Sequence, residues 1–202
     1  LDRNITVDPG EVARFASMVV GPGLGPSGEV AAGVRRIVAD TSVPMVVDGD
    51  GLKALGNGMP CRDRAFPVVL TPHDGEFESL TGGRPAPDRL RAARSGASAT
   101  GAVMLLKGPT TVVAAPDGRT LVVNTGDQRL ATAGSGDVLA GIVGAFLARG
   151  ADPLCAAAAG AHVHGRLLDS LAPTGVVASD LAPRLVETLV ALGVDGPLGV
   201  GA

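Results

Sequence analysis

The sequence predicts an α/β domain in which helices cover a mostly parallel β-sheet. Four short apolar runs rich in β-branched residues alternate with helical patterns, and such runs suit strands buried on both faces of a parallel sheet. A hairpin pattern follows the fourth run, and the rest of the chain is helical in pattern. The chain has 202 residues, of which 46% are apolar, enough for one domain with a sizeable core. We therefore expect a single domain over residues 1–192 and a flexible tail over 193–202.

The predicted strands are apolar runs of three or four residues with turn-forming or polar residues on both sides. Those expected in the parallel part of the sheet are Met18–Val20, Met45–Val47, Val68–Leu70 and Val103–Leu106. The hairpin strands are Thr111–Ala114 and Thr120–Val123, because the sequence Pro116-Asp117-Gly118 between them is typical of a turn.

The ends of two helices are predicted from capping residues. Asp8, Pro9 and Glu11 have the residue types preferred at the N-cap, first and third positions of an opening helix. Near the other end of the chain, Ser179 is expected to cap the last helix and Pro183 to lie in its first turn.

The remaining helices are predicted from apolar spacing. In 138–149 the apolar residues recur at i, i+1, i+4, i+5, i+8 and i+9, which places them on one face of a helix. The helices expected between the strands cover 28–39, 51–55, 76–80 and 88–99, and those after the hairpin cover 138–149, 154–168 and 181–192.

Composition excludes several classes of function. A net charge of −3 argues against general nucleic-acid binding, which needs a basic surface. No apolar run approaches the roughly 18–20 residues that span a bilayer, so no membrane association is expected. Cys61 and Cys155 have no metal-ligand or C-x-x-C spacing, and reduced thiols of this kind are the default in the cytoplasm, where we expect the protein to act.

The most informative stretch is 124–137, which ends in the small-residue run Gly134-Ser135-Gly136 followed by Asp137. A helix start rich in glycine presents free backbone N–H groups to an anion, and the helix dipole favours negative charge there. A carboxylate at that place would repel phosphate, so its presence indicates a chemical role. One such role is to take a proton from a hydroxyl as a phosphoryl group arrives. The alternative is a glycine-rich turn whose aspartate caps a helix.

The sequence Asn124-Thr125-Gly126 together with Ala131-Thr132-Ala133-Gly134-Ser135-Gly136-Asp137 resembles the signature of the ADP/ATP-dependent NAD(P)H-hydrate dehydratases, members of the ribokinase-like superfamily. The resemblance implies a three-layer α/β/α fold with a mostly parallel sheet and the hairpin just before the Gly-Ser-Gly-Asp helix. It also implies that Gly134, Ser135 and Gly136 bind the nucleotide, and that Asp137 is the catalytic base and touches the substrate.

Two further motifs follow predicted strands, at the sheet edge where α/β domains bind ligands. The run 21–26, Gly-Pro-Gly-Leu-Gly-Pro, is a tight strand-to-helix loop or, as in the resembled family, a substrate loop through Gly23 and Gly25. The run 70–77 is similar to the family sequence T-P-H-x-G-E-F, which implies a substrate contact for His73. Glu76 either fixes this loop by accepting backbone N–H bonds or positions a metal or water.

Two other strand-end motifs carry charge. Asp48 and Asp50 orient a hydroxyl or hydrated cation or, equally, cap the helix that follows. Lys107 can meet a phosphate as a point charge, although a lysine in an ordinary loop has the same appearance. The resemblance implies nucleotide contacts for the whole motif, Lys107, Gly108, Pro109, Thr110 and Thr111. His162 and His164, two residues apart on one helix, are interpreted as packing residues because they face different sides.

The resemblance implies that the chain repairs NADH or NADPH hydrated on the nicotinamide ring. ATP or ADP, with Mg²⁺, would phosphorylate the ring hydroxyl, and phosphate would then leave. Relatives begin with an earlier strand and helix, so we expect this chain to be the C-terminal majority of the family domain, in a homo-oligomer, with an epimerase domain fused or as a partner. Two alternatives stay open: a ribokinase-like vitamin or sugar kinase, and a non-catalytic nucleotide-binding remnant.

Overall fold

The computed structural model describes residues 7–57, 61–62 and 64–194. Its six-stranded sheet has the strand order β1-β2-β3-β4-β5-β6. The first four strands are parallel neighbours, and the last two continue the sheet as an antiparallel hairpin. The strands have the predicted bounds: β1 Met18–Val20, β2 Met45–Val47, β3 Val68–Leu70, β4 Val103–Leu106, β5 Thr111–Ala114 and β6 Thr120–Val123.

The helices occupy the predicted places with shifted ends. In chain order they are α1 Pro9–Val12, α2 Gly28–Asp40, α3 Asp50–Leu55, α4 Asp74–Thr81, α5 Arg89–Thr100, α6 Ser135–Ala148, α7 Pro153–Arg166, α8 Ala178–Leu181 and α9 Leu185–Ala191. The Asp8 carboxylate accepts the N–H of Gly10 at 2.8 Å, which confirms the predicted cap of α1. No helix in the described part of the chain combines the length and the apolar character needed to cross a membrane.

The C-terminal helices differ most from the prediction. The predicted helix 181–192 is divided: α8 is followed by a 3₁₀ turn, Ala182–Arg184, and then by α9. Pro183 lies in that turn, since proline has no N–H with which to continue an α-helix. Ser179 is not the cap, because α8 begins before it and the carboxylate of Asp180 accepts the N–H of Val177 at 3.0 Å.

Helix α7 is also shorter than predicted, since it ends at Arg166 and the 3₁₀ turn Leu167–Ser170 follows. The tail predicted for 193–202 falls mainly on 195–202, outside the described residues, and remains a prediction together with the domain boundary.

The core has two main apolar clusters, one on each face of the sheet. Alternate strand residues such as Met45 and Val47 face α2, α3, α4 and α5, whereas Val46 faces α6 and α7. This alternation follows from the two-residue period of a strand. A third cluster joins α6 and α7 to α8 and α9 on the outside. The described chain is therefore an α/β/α sandwich, as predicted.

Candidate active site

The predicted motifs meet at one edge of the sheet. Strands β1 to β4 are parallel, so the loops after them emerge at the same edge, and the open end of the β5–β6 hairpin lies there too. Backbone hydrogen bonds continue past the strand ends: Asp48 N–H to the Val20 carbonyl at 3.1 Å, and Lys107 N–H to the Pro72 carbonyl at 2.8 Å. Four motifs separated in sequence are thus held side by side.

A buried ionic network occupies this edge. The Asp48 side chain accepts hydrogen bonds from the Thr71 hydroxyl and from the Lys107 ammonium, both at 2.8 Å. The same ammonium lies 3.5 Å from Glu76 Oε2. Asp48 is 3% exposed and Glu76 5%, and buried carboxylates of this kind need a cationic or hydrogen-bonding partner. Lys107 supplies that partner to both.

The structure excludes one of the two roles left open for Asp48 and Asp50, that of capping the helix after β2. Helix α3 is preceded by Gly49 with no side-chain cap, so neither Asp48 nor Asp50 is its N-cap. Asp50 instead accepts the Gly25 N–H at 2.9 Å and pairs with Lys53 at 3.0 Å. The Gly25 N–H first, and then Lys53, hold the pKa of the Asp50 carboxyl below its usual value. Asp50 therefore ties the 21–26 loop to the start of α3.

Glu76 and His73 form the cap of α4. Glu76 accepts the His73 N–H at 2.9 Å, while His73 Nδ1 accepts the N–H groups of Gly75 and Glu76 at 3.0 and 3.2 Å. The loop-fixing role of Glu76 is thereby confirmed, and α4 begins two residues before the predicted start because His73 caps it. The His73 side chain remains 60% exposed, so its predicted substrate contact is sterically open and stays a prediction.

The 21–26 loop approaches the Asp48 backbone very closely. Gly21 has φ +125°, and a Cβ built on it would overlap the Asp48 carbonyl oxygen. Only glycine fits both the conformation and the space. Beyond this contact Gly23 is exposed and Gly25 half-buried, and their predicted substrate contacts stay predictions.

The first turn of α6 lies next to the ionic network. A Cβ on Gly136 would be 3.2 Å from Asp48 Oδ2 and 3.5 Å from Lys107 Nζ. Helix α6 begins at Ser135, three residues earlier than predicted, because Gly134 takes the left-handed conformation at φ +85° that turns the chain into the helix. Asp137 therefore lies within the first turn, is exposed, and has no side-chain partner in the described part of the chain.

The N–H groups of the predicted anion cradle differ in their bonding. The Ser135 N–H donates to the Thr132 carbonyl at 3.2 Å, and the predicted nucleotide contact of Ser135 stays a prediction. The N–H groups of Gly134 and Gly136 make no hydrogen bond within the described residues. The donors available to an anion are therefore those of the two glycines.

The Ser135 side chain is also internal. It is 2% exposed, and its hydroxyl lies 3.0 Å from Nε2 of His164 on α7. Burial, reinforced by the positive charge of Lys107, lowers the pKa of His164 to about 4. A neutral imidazole thus lies directly behind the glycine-rich turn.

Sequence reasoning missed two residues that shape the site. It interpreted His164 as packing, although a buried histidine needs a polar partner, which was an available signal. It did not consider Arg89, at the start of α5, which donates to the Asp74 carboxylate at 2.8 Å and to the Lys107 carbonyl at 2.7 Å. Arg89 braces the Lys107 loop against α4, and no sequence motif marks it.

The loop after Lys107 is open. Gly108, Pro109 and Thr110 are exposed, and Thr111 at the start of β5 is half-buried. Gly108 packs over Arg89, since a Cβ there would lie 2.7 Å from Nη2 of the guanidinium. The predicted nucleotide contacts of this loop are thus accessible, and they remain predictions.

Comparison with known proteins agrees with the resemblance. Residues 7–191 match the NAD(P)H-hydrate dehydratase family. The bifunctional NAD(P)H-hydrate repair enzyme Nnr of Salinibacter ruber is 45% identical over 172 residues, which cover 82% of this chain and 32% of that enzyme. The chain spans about a third of the length of this curated relative.

Two solved structures confirm the predicted ribokinase-like fold. The ADP/ATP-dependent NAD(P)H-hydrate dehydratase of Bacillus subtilis, co-crystallised with ATP and Mg²⁺, has a TM-score of 0.78 at 29% identity, covering 87% of this chain and 64% of that one. A ribokinase-like superfamily protein of Enterococcus faecalis has a TM-score of 0.76 at 25% identity, covering 91% of this chain and 66% of that one.

Proposed function

This chain belongs to the NAD(P)H-hydrate dehydratase family, and we propose that it removes water from the hydrated nicotinamide ring of NADH and NADPH at the expense of ATP or ADP. The observation that carries the proposal is the first turn of α6. There two unpaired N–H groups, of Gly134 and Gly136, lie beside the exposed carboxylate of Asp137 and close to Lys107. Anion binding and proton removal are thus combined in one turn.

The terminal phosphate of the nucleotide fits the α6 turn. Glycine leaves no side chain between the backbone and a phosphate, and the helix dipole favours its charge. Mg²⁺ fits the same place, because Asp48 Oδ2 faces Gly136 and carboxylate oxygens are ligands that Mg²⁺ prefers. When bound, Mg²⁺ would offset the negative charge of the phosphates. The exposed loop 107–111 would hold the remaining phosphates.

Asp137 would act as the base. It would take the proton of the ring hydroxyl while the hydroxyl oxygen attacks the terminal phosphorus, which releases ADP from ATP or AMP from ADP. The ester group then departs as inorganic phosphate, expelled by the lone pair of the ring nitrogen. The ring carbon next to the one that carried the phosphate loses a proton, and the ring double bond is restored. Asp137 suits this step because it is exposed and no cation neutralises it in the described structure.

The two ligands would divide the edge of the sheet. The 21–26 loop and His73, after β1 and β3, would contact the hydrated ring, and the segments after β4 and before α6 would contact the nucleotide. Support for this division comes from exposure, since Gly23 and the His73 side chain are both accessible. Asp137 would meet both ligands at the boundary.

The wider setting is proposed from the relatives and from the thiols. The Salinibacter ruber relative is named bifunctional and is about three times as long as the matched region, so we propose that an epimerase activity accompanies this one, on the same polypeptide or a partner. We also propose a homo-oligomer. Cys61 and Cys155 are free thiols, which fits a cytoplasmic location.

The test is to incubate the protein with NADH hydrate, Mg²⁺ and either ATP or ADP, and to follow NADH recovery and phosphate release together. We expect equal amounts of NADH and phosphate, and neither without nucleotide. A stable phosphorylated product would indicate a kinase, and nucleotide binding with neither product would indicate a binding module. Either result would refute the dehydratase proposal.

A further inference from the structure

We propose that His164 is a positioning residue, which holds the phosphate-binding turn of α6 in place through the Ser135 hydroxyl. The inference rests on the proposed function for its link to turnover, but its geometric basis is independent. His164 Nε2 and Ser135 Oγ are 3.0 Å apart, and both residues are buried, at 6% and 2% exposure. His164 lies outside the ligand-facing surface and would act only through Ser135.

The contact lies at the point where it can fix the turn. Ser135 is the first residue of α6, directly between Gly134 and Gly136, whose N–H groups make no hydrogen bond within the described residues. Glycine has the least conformational restriction of any residue, so two glycines in this turn leave its geometry weakly determined. The anchored side chain between them restricts the positions of both donors.

The last turn of α7 holds the other end of the same segment. The Thr125 hydroxyl donates to the carbonyl oxygen of residue 162 at 3.2 Å. Gly165 lies against Thr125 and Gly126 so closely that a Cβ on it would be 2.5 Å from the Thr125 hydroxyl. Helix α7 therefore holds segment 124–137 at both ends, and His164 is its contact with the end that meets phosphate.

The imidazole is also kept in the form that suits this task. Burial and the charge of Lys107 lower its pKa, so near neutral pH it is an uncharged hydrogen-bonding group. Such a ring orients Ser135 without placing a second cation behind the phosphate. The role of His164 is thus geometric rather than electrostatic.

The experiment is a double-mutant cycle with Ser135→Ala, His164→Leu and the combined variant. We expect each single variant to lower kcat about 10- to 100-fold, as for a small misplacement of catalytic groups. The combined variant should be no slower than the slower single one, since both remove the same contact. His164→Gln, whose amide reaches the place of Nε2, should recover most of kcat.

A matched control is His162→Leu on the same helix, which leaves the backbone carbonyl of residue 162 in place and should keep wild-type kcat. Thermal unfolding of every variant checks that it is folded. Multiplicative losses in the combined variant, or His164→Gln no faster than His164→Leu at equal stability, would overturn the proposal.

A second measurement separates this inference from the proposed function. We expect His164→Leu to weaken ATP binding in calorimetry several-fold while AMP binding stays unchanged, because only the terminal phosphate reaches the α6 turn. If wild type recovers no NADH from the hydrate, the proposed function fails, and the same cycle on the ratio of ATP to AMP affinity still decides the role of His164. An unchanged ratio in all variants would then refute it.

Discussion

The carboxyl ends of β2, β3 and β4 and the first turn of α6 lie side by side in the candidate site, but they use their polar groups differently. In the strand-end network Asp48, Thr71, Glu76 and Lys107 bond to one another, and the carboxylates are buried. In the α6 turn the N–H groups of Gly134 and Gly136 and the Asp137 carboxylate have no partner within the described chain. The first region is satisfied internally and the second is not, so the first mainly stabilises the site and the second carries the groups proposed to react.

This contrast makes Asp137→Asn the most severe test, because it removes a charge from the α6 turn and leaves the strand-end network unchanged. We expect turnover to fall by about 10²–10⁴, the usual loss for a general base. Nucleotide affinity should be unchanged or slightly higher, since a charge that repels phosphate is gone. Steady-state kinetics together with ATP titration calorimetry measure both. A variant with near wild-type turnover would remove Asp137 from the mechanism.

Lys107 tests the strand-end network, in which loss of the ammonium leaves a buried carboxylate charged. We expect Lys107→Ala to destabilise the fold by about 3 kcal/mol, since Asp48 would be left without its cation. ATP affinity should also fall, by about 1–3 kcal/mol, if the ammonium meets a phosphate. Chemical denaturation and calorimetry measure these effects separately.

The control for Lys107 is the pair Asp48→Asn and Lys107→Met in one protein, which removes both charges. It should recover the part of the lost stability that comes from Asp48, but not the part from Glu76 and none of the lost ATP affinity. If the Lys107→Ala protein is as stable as wild type, the strand-end network does not stabilise the fold.

The sequence predicts features that depend on local residues and misses those that depend on the packing of distant segments. The strands were predicted to the residue because each is a short apolar run between turn-forming residues, and that information is local. The ion pair between Asp48 and Lys107 joins residues 59 positions apart, so it depends on strand order and register. The apolar pattern of the sequence predicts neither the strand order nor the register.

The α6 turn shows the same limit in a single motif. Its small residues and its carboxylate could be read directly from the sequence. That Ser135 points inward to His164 could not, because the hydroxyl has the same chance of facing a ligand until α7 is placed behind it. The start of α6 was misplaced for a related reason, since glycines lack the apolar pattern from which helices are predicted.

His164 contacts the α6 turn through Ser135 and lies within the electrostatic influence of Lys107, and it gives the comparison a dependence on pH. Its pKa falls from 6.5 in the unfolded chain to about 4 in the fold. Below pH 6.5 the unfolded state therefore binds a proton that the folded state does not, and stability decreases as pH falls to about 4. The full loss from this group is about 3 kcal/mol.

Denaturation curves at pH 7 and pH 4.5, for wild type and for His164→Gln, isolate this contribution from that of the carboxylates. We expect the variant to lose less stability than wild type over that interval. Equal losses would mean that His164 titrates normally and is not buried in its neutral form.

Asp50 gives the smallest expected effect, because it only holds the 21–26 loop beside the strand-end network. Its carboxylate accepts the Gly25 N–H and pairs with the exposed Lys53. We expect Asp50→Ala to cost about 1 kcal/mol of stability, the net value of one such hydrogen bond, and to raise KM for the hydrate while kcat and ATP affinity stay unchanged. Lys53→Ala is the matched control, since it removes the surface ion pair but keeps the Gly25 bond, and it should change neither quantity measurably. If Asp50→Ala instead weakens ATP binding and leaves KM for the hydrate as it was, the 21–26 loop belongs to the nucleotide side, and the division of the sheet edge proposed above must be reversed.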